Sequence, residues 1–397
     1  MRLTNIWWIV AVCAVSVAAA AGEPIETGQR VTLMSEVLGE ERTVMVSVPD
    51  GVGGDVRAPV LVVTDAGTQF DHTRATVRFL ARNGLIPDLI VVGITNTDRT
   101  RDLTPSHASM RNASGDLVEL PTSGGADRFL EFIATELVPF VEAEYPALPY
   151  RIFAGHSFGG LLATHAFATR PELFSAAIAV SGPVLWDDRL VLREMRAYFD
   201  DHDAAGRALF ITVGDEPDNM TDGFEELLDL LESVDDDGFR FASRVFPDDD
   251  HGSLVLRSHE RGLRFIFDDW QMPEDPATGW PAGNLEDADR HYAQLSERLG
   301  LEVAVPETTL NLMGYRLLGE ERTEEALHVF RRATEVYPTS ANVWDSLGEG
   351  LEAAGDLEAA RDSYAKAVRI GSGIEDPNLE IYRQHLEAAE AALEDQR

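Results

Sequence analysis

Ser157 stands in the run Tyr150-Arg151-Ile152-Phe153-Ala154-Gly155-His156-Ser157-Phe158-Gly159-Gly160-Leu161, which reads as a short buried strand, a tight turn and the first turn of a helix. Gly155 and Gly159 flank the serine as G-x-S-x-G, and that spacing has a steric reason. A serine held on a strained strand-to-helix elbow needs neighbours without a Cβ pressing on it. The helix start behind it turns backbone N–H groups and a partial positive charge toward any anion forming beside the hydroxyl. The chemistry implied is nucleophilic attack on an acyl carbon.

A serine hydroxyl is a poor nucleophile until a base takes its proton, and the base must be oriented by a carboxylate. Two later apolar runs end in suitable residues. Ala208 to Val213 delivers Gly214-Asp215-Glu216-Pro217-Asp218, and Phe241 to Phe246 delivers Pro247-Asp248-Asp249-Asp250-His251-Gly252-Ser253. Of ten histidines, His251 alone follows the last strand-like run, in a turn just before a helical pattern. His156 is set aside as structural because its side chain should leave the elbow in another direction. His72 and His107 fall on loops near strand ends. For the acid, Glu216 is the first choice, with Asp215 and Asp218 as alternatives. The oxyanion of the transition state needs two backbone donors. Phe158, next after the nucleophile, supplies one; Ala66 or Gly67, in the small turn Asp65-Ala66-Gly67-Thr68, supplies the other. Asp248-Asp249-Asp250 and Asp235-Asp236-Asp237-Gly238 lack the ligand spacing of a calcium loop, so neither a metal nor a cofactor is expected.

These residues need a frame. Gln29 to Val37 and Arg42 to Val48 alternate like an antiparallel strand pair. Pro59 to Asp65 and Asp88 to Ile94 are near-continuous apolar runs, as strands buried on both faces are, with a helical stretch Thr73 to Asn83 between them. Phe129 to Ala143 forms a second helix, entered through Ser123-Gly124-Gly125. With the elbow strand, Ser175 to Val180, Ala208 to Val213 and Phe241 to Phe246, eight strands result, mostly parallel. That predicts an α/β sheet with helices on both faces and its chemistry at the carboxyl ends of the strands.

Four separated blocks agree in order with one known group: Val60 to Phe70, Ile94 to Pro105, Ser123-Gly124-Gly125-Ala126-Asp127, and Gly155 to Gly160. Over roughly residues 28 to 270 the chain resembles the esterase family that includes esterase D and the siderophore (enterochelin-type) esterases. The resemblance implies an α/β-hydrolase fold and a cofactor-free serine carboxylester hydrolase acting on a small or siderophore-like ester, with Ser157 as nucleophile and His251 as base. Two departures stand out. Family members often have Asp-Gly where this chain has Asp65-Ala66, and some siderophore-esterase relatives work with a weak or missing acid. Trp186 is placed as a pocket wall or a core lid, and Arg99 and Arg101 as loop salt bridges in preference to contacts with an acidic substrate group. An acyltransferase, or an inactive binding module, would share the same scaffold.

The ends of the chain carry other signals. Met1 to Asn5 is a short positive start, Ile6 to Val17 an apolar run, and Ala18 to Ala21 a small-residue cleavage context. Residues 1–21 therefore read as a secretory signal peptide, with no membrane span after cleavage and a periplasmic or secreted mature chain. The one cysteine, Cys13, lies inside that segment. With 33 basic against 69 acidic residues the net charge is -36, which excludes nucleic acid and anionic membranes as partners. The hydrolase unit spans 22–272 and a Pro/Gly-marked linker with a helix spans 273–306. In 307–397, Leu310, Met313-Gly314, Leu317, Ala326, Phe330 and Ala333 recur 34 residues later as Trp344, Leu347-Gly348, Leu351, Ala360, Tyr364 and Ala367. That period resembles two tetratricopeptide-type repeats with a capping helix, an all-α surface for a protein partner or a homodimer contact.

Overall fold

The structure, a computed structural model, describes residues 26–395 apart from 55, 112–115, 237, 301 and 375. The leader reading of residues 1–21 lies outside the described residues. Ten strands form: β1 (Gln29–Ser35), β2 (Glu40–Ser47), β3 (Ala58–Val63), β4 (Ile90–Ile94), β5 (Ser109–Arg111), β6 (Leu117–Glu119), β7 (Ala147–His156), β8 (Ala176–Val180), β9 (Ala208–Gly214) and β10 (Arg240–Phe246). Eight of them make one sheet in the order β1-β2-β4-β3-β7-β8-β9-β10, while β5 and β6 pair separately. β2 is antiparallel to β1 and β4; every pairing from β4 to β10 is parallel. This is the strand order of the α/β-hydrolase fold. β3, β4, β8 and β9 are buried at every residue, which is why their sequences run apolar without alternation.

The covering helices are α1 (Ala66–Arg82), α2 (Arg99–Leu103), α3 (Ala126–Phe132), α4 (Val138–Glu144), α5 (Phe158–Thr169), α6 (Trp186–Asp201), α7 (Asp218–Glu232) and α8 (Leu254–Ile266). Between α3 and α4 the ladder widens to π spacing over Ile133–Leu137, just before Pro139, which has no N–H to give. Side chains of α3 to α7 fill the core on one face of the sheet. Those of α1 and α8 fill the other. Helix α5 is apolar all round, with Phe158 to Ala168 buried, as befits a helix enclosed on every side.

α1 starts seven residues before the helix expected from Thr73, because Asp65 takes a left-handed conformation (φ 55) and the chain enters the helix at once. Ala66 and Gly67 thus occupy a helical first turn.

Six further helices follow: α9 (Leu285–Leu299), α10 (Glu307–Gly319), α11 (Thr323–Val336), α12 (Ala341–Ala353), α13 (Leu357–Ile374) and α14 (Leu379–Asp395). Asn284 and Asp287 close α9 with a reciprocal capping box. Ala288, Tyr292, Leu295 and Leu299 of α9 join the same apolar cluster as Tyr150, Phe267 and Met272 of the body. Arg298 pairs with Asp269, and His291 Nε2 donates to the Asp269 carbonyl at 2.9 Å. Tyr150 lies near the start of β7, at the opposite end from Ser157. A Cβ on Gly314 would run into the ring of Phe330, and one on Gly348 into the ring of Tyr364, so the two helix pairs are closed by the same contact 34 residues apart.

Candidate active site

Ser157 sits between β7 and α5 with φ 60 and ψ -119, a strained conformation for a residue with a side chain. Its N–H donates to the Val180 carbonyl at 2.9 Å, pinning the turn to β8. The glycines around it are obligatory. A Cβ on Gly155 would overlap the Gly159 carbonyl, one on Gly159 would lie 2.5 Å from Thr64 Oγ1, and one on Gly160 2.6 Å from the Val180 carbonyl. The close approach of Gly159 to Thr64 also brings the first turn of α5 beside the first turn of α1. Phe158 and Ala66 are the leading residues of those helices, where N–H groups have no partner within the helix.

Glu216 and His251 arrive from the ends of β9 and β10. His251 Nδ1–H donates to Glu216 Oε2 at 2.7 Å, which leaves Nε2 bare as a proton acceptor. The His251 side chain is 45% exposed and that of Glu216 1% exposed. Asp215 and Asp218, by contrast, are exposed, so of the three candidate acids Glu216 is the one that meets the imidazole. Its second oxygen accepts the Ser181 hydroxyl and the Gly214 N–H. Burial pushes the Glu216 carboxyl up, but His251, Ser181 and Gly214 together outweigh it and hold the group below the usual carboxylate range.

His156, set aside as structural, does have a structural role, and its contact with His251 was not foreseen. The elbow turns its ring against that of His251, with centroids 4.6 Å apart, and its Nε2–H donates to the His251 carbonyl at 2.6 Å. Burial, then the neighbouring imidazole, lowers its pKa to about 4. His156 therefore holds the His251 backbone beside the elbow as a neutral donor. The Ser157 hydroxyl makes no hydrogen bond among the described residues. His251 is held against His156, the residue next to Ser157.

Two features escaped the sequence reading. Ser181 directly follows β8 with φ 48, and its Oγ also lies 3.2 Å from His251 Nδ1. A serine-glycine step at the carboxyl end of an apolar run was the available signal. The second is a brace between the two turns. Asp65, 7% exposed, accepts Arg99 Nε at 2.7 Å, Arg99 Nη2 at 3.1 Å and Asn96 Nδ2 at 2.6 Å, while Arg99 Nη2 also donates to the His156 carbonyl at 3.0 Å. Arg99 is thus a salt-bridging residue, and so is Arg101, which pairs with Glu40 and Asp102.

The remaining expectations sort cleanly. Trp186 is 5% exposed, edge-on to Phe158 at 5.5 Å, with its Nε1–H on Ser106 Oγ at 2.9 Å. It is a core residue backing the elbow. His107 Nδ1–H donates to the Ser123 carbonyl at 2.7 Å, whereas His72, expected on a loop, lies within α1 and contacts Gln69 at 2.5 Å. Asp249 pairs with Arg257 and Asp250 accepts the N–H groups of Gly252 and Ser253, so this acidic run shapes the turn into α8.

Residues 35–250 match the family model described as "Putative esterase". The chain is 28% identical over 276 residues to a siderophore triacetylfusarinine C esterase of Aspergillus fumigatus, covering 58% of this chain and 90% of that protein. It is 29% identical over 261 residues to the ferri-bacillibactin esterase BesA of Bacillus subtilis, covering 60% and 90%. The crystal structure of an IroE-like serine hydrolase from Shewanella oneidensis superposes with a TM-score of 0.67 at 28% identity, over 78% of this chain and 99% of that one. With the family model matching more than half of its length across β2 to β10 and the elbow between them, the chain belongs to the "Putative esterase" family of α/β-hydrolase proteins.

Proposed function

We propose that the protein is a serine esterase that cleaves siderophore-like carboxylic esters through an acyl-enzyme. Ser157 attacks the ester carbonyl while His251 Nε2 takes its proton. Glu216 stabilises the imidazolium and holds the Nδ1–H tautomer, and the N–H groups of Phe158 and Ala66 receive the oxyanion. His251 then protonates the departing alcohol, and water, activated by the same imidazole, releases the acid. The observation that carries this reading is the buried Glu216 carboxylate 2.7 Å from an imidazole that is itself 45% exposed. Such a base is fixed from behind and open to a bulky substrate in front. The substrate class rests on the relatives, one named a siderophore triacetylfusarinine C esterase and the other a ferri-bacillibactin esterase.

With residues 1–21 as a cleaved leader, the enzyme works in the periplasm or outside the cell. We read α10 to α13 as two tetratricopeptide-type repeats capped by α14, supported by the matched glycine-aromatic contacts. The test compares wild type and Ser157→Ala on p-nitrophenyl butyrate and on a trilactone siderophore ester, with fluorophosphonate labelling. Label on Ser157 and loss of both hydrolyses in the variant are expected. An unlabelled wild type would leave only a binding module.

A further inference from the structure

The helical arm holds a second cluster of titratable side chains. Asp345 and Glu349 stand one turn apart on α12 and His385 projects from α14. One ligand atom from each lies within 4.8 Å of the others. His385 Nδ1 is 3.0 and 3.1 Å from the two Asp345 oxygens. Zinc with bonds of about 2.0–2.1 Å spaces its tetrahedral ligands about 3.3 Å apart, so small inward adjustments suffice.

The charges around the cluster do not balance. Neither Asp345 nor Glu349 pairs with an arginine or lysine among the described residues. Asp345 is 5% exposed. Two carboxylates against one imidazole leave uncompensated negative charge in a helix-packed site. Outer partners fix the ligands. The Tyr315 hydroxyl lies 3.1 Å from Glu349 Oε1, and the Tyr364 ring packs 5.4 Å from His385 while its hydroxyl donates to Glu352 at 2.9 Å. His385 is one-third exposed, which gives an ion a way in.

We propose that Asp345, Glu349 and His385 form a site for a divalent first-row transition-metal ion, with a fourth position left to water, that staples α14 onto α12. Mixed imidazole and carboxylate donors suit such an ion better than magnesium, which prefers an all-oxygen octahedron. The site departs from the sequence expectation of no metal; it lies outside the hydrolase loops and is independent of the ester chemistry.

The full chain, stripped with chelator, is titrated with Zn2+ by calorimetry, with Mg2+ as control, and its thermal unfolding is followed with and without Zn2+. One equivalent of Zn2+ and a zinc-dependent rise in the unfolding midpoint are expected. His385→Ala, Asp345→Asn and Glu349→Gln should each weaken binding at least tenfold and abolish the rise, with ester hydrolysis unchanged. Because His385 is partly exposed, its variant keeps the test decisive if Asp345→Asn fails to fold. Absence of zinc uptake by the wild type, equal uptake by His385→Ala, or a midpoint that falls in His385→Ala by the same amount with and without Zn2+ would overturn the site. The last result identifies a plain ion pair.

Discussion

At the scale of single residues, the Glu216 carboxylate is set by three donors: His251, Ser181 and the Gly214 N–H. Glu216→Gln keeps the shape but lets the amide present a donor to Nδ1, favouring the wrong tautomer. In the template triad the equivalent change lowers kcat about 10⁴-fold, and a loss of about 10³-fold or more is expected here. Ser181→Ala removes one of three hydrogen bonds to a charged group, a change of about 1.5–3 kcal/mol at most. It should lower kcat about tenfold with little change in KM; steady-state kinetics on p-nitrophenyl butyrate read both. The gathering of Ser157, His251 and the acidic loop Asp215–Asp218 at one sheet edge was legible from sequence because each follows an apolar run; which of the acids meets the imidazole was not. Ser181 and the His156 contact were not. Their side-chain directions follow from φ 48 at Ser181 and from the turn that Ser157 makes at φ 60, and neither angle is written in residue type alone.

At the scale of elements, β3, β4, β8 and β9 were legible because burial on both faces demands unbroken apolar runs, and β1 and β2 because their residues alternate. The hairpin of β5 and β6 and the one-turn α2 were not. Leu117–Glu119 is exposed throughout, and α2 is held by distant partners, with Asp102 on Arg42 at 2.6 Å and Arg101 on Glu40. The element that tolerates least is the elbow. Gly155→Ala sets a methyl into the Gly159 carbonyl, and overpacking against backbone costs about 1–3 kcal/mol or more. A lower urea midpoint together with lost activity is expected. Gly348→Ala makes a clash of similar kind against the Tyr364 ring, but in the arm, near the far end of the chain from the elbow. Hydrogen exchange should then accelerate in α12 and α13 while hydrolysis at Ser157 persists. Equal loss of activity in both variants would mean that arm and body fold as one unit.

At the scale of the whole molecule, acid stability is governed by buried imidazoles. Behind the site Thr73 Oγ1 donates to the Gln69 carbonyl at 2.7 Å and so accepts from His259 Nδ1–H at 2.9 Å, leaving His259 Nε2 buried without a partner among the described residues. Burial, reinforced by His72 and His156, lowers the His259 pKa to about 3. Both His259 and His156 are depressed below the unfolded value of about 6.5, so the stability they confer is complete above that pH and drains away as pH falls toward their folded values. His165 runs the other way. Burial opposes its charge, but Glu194 and Asp127 raise its pKa, so its contribution is present in acid and lost as pH rises through the folded value. For His259 alone, the linkage is about 1.4 kcal/mol per pH unit, or about 2 kcal/mol between pH 6.5 and 5. His259→Asn retains a donor for Thr73 and removes the titrating nitrogen. Urea unfolding of the wild type should weaken steeply from about pH 7 to pH 5, and the variant, less stable at neutral pH for want of the ring's packing, should lose about 2 kcal/mol less over the same interval. Parallel curves would show that the buried imidazole titrates near its unfolded value and is not depressed by folding.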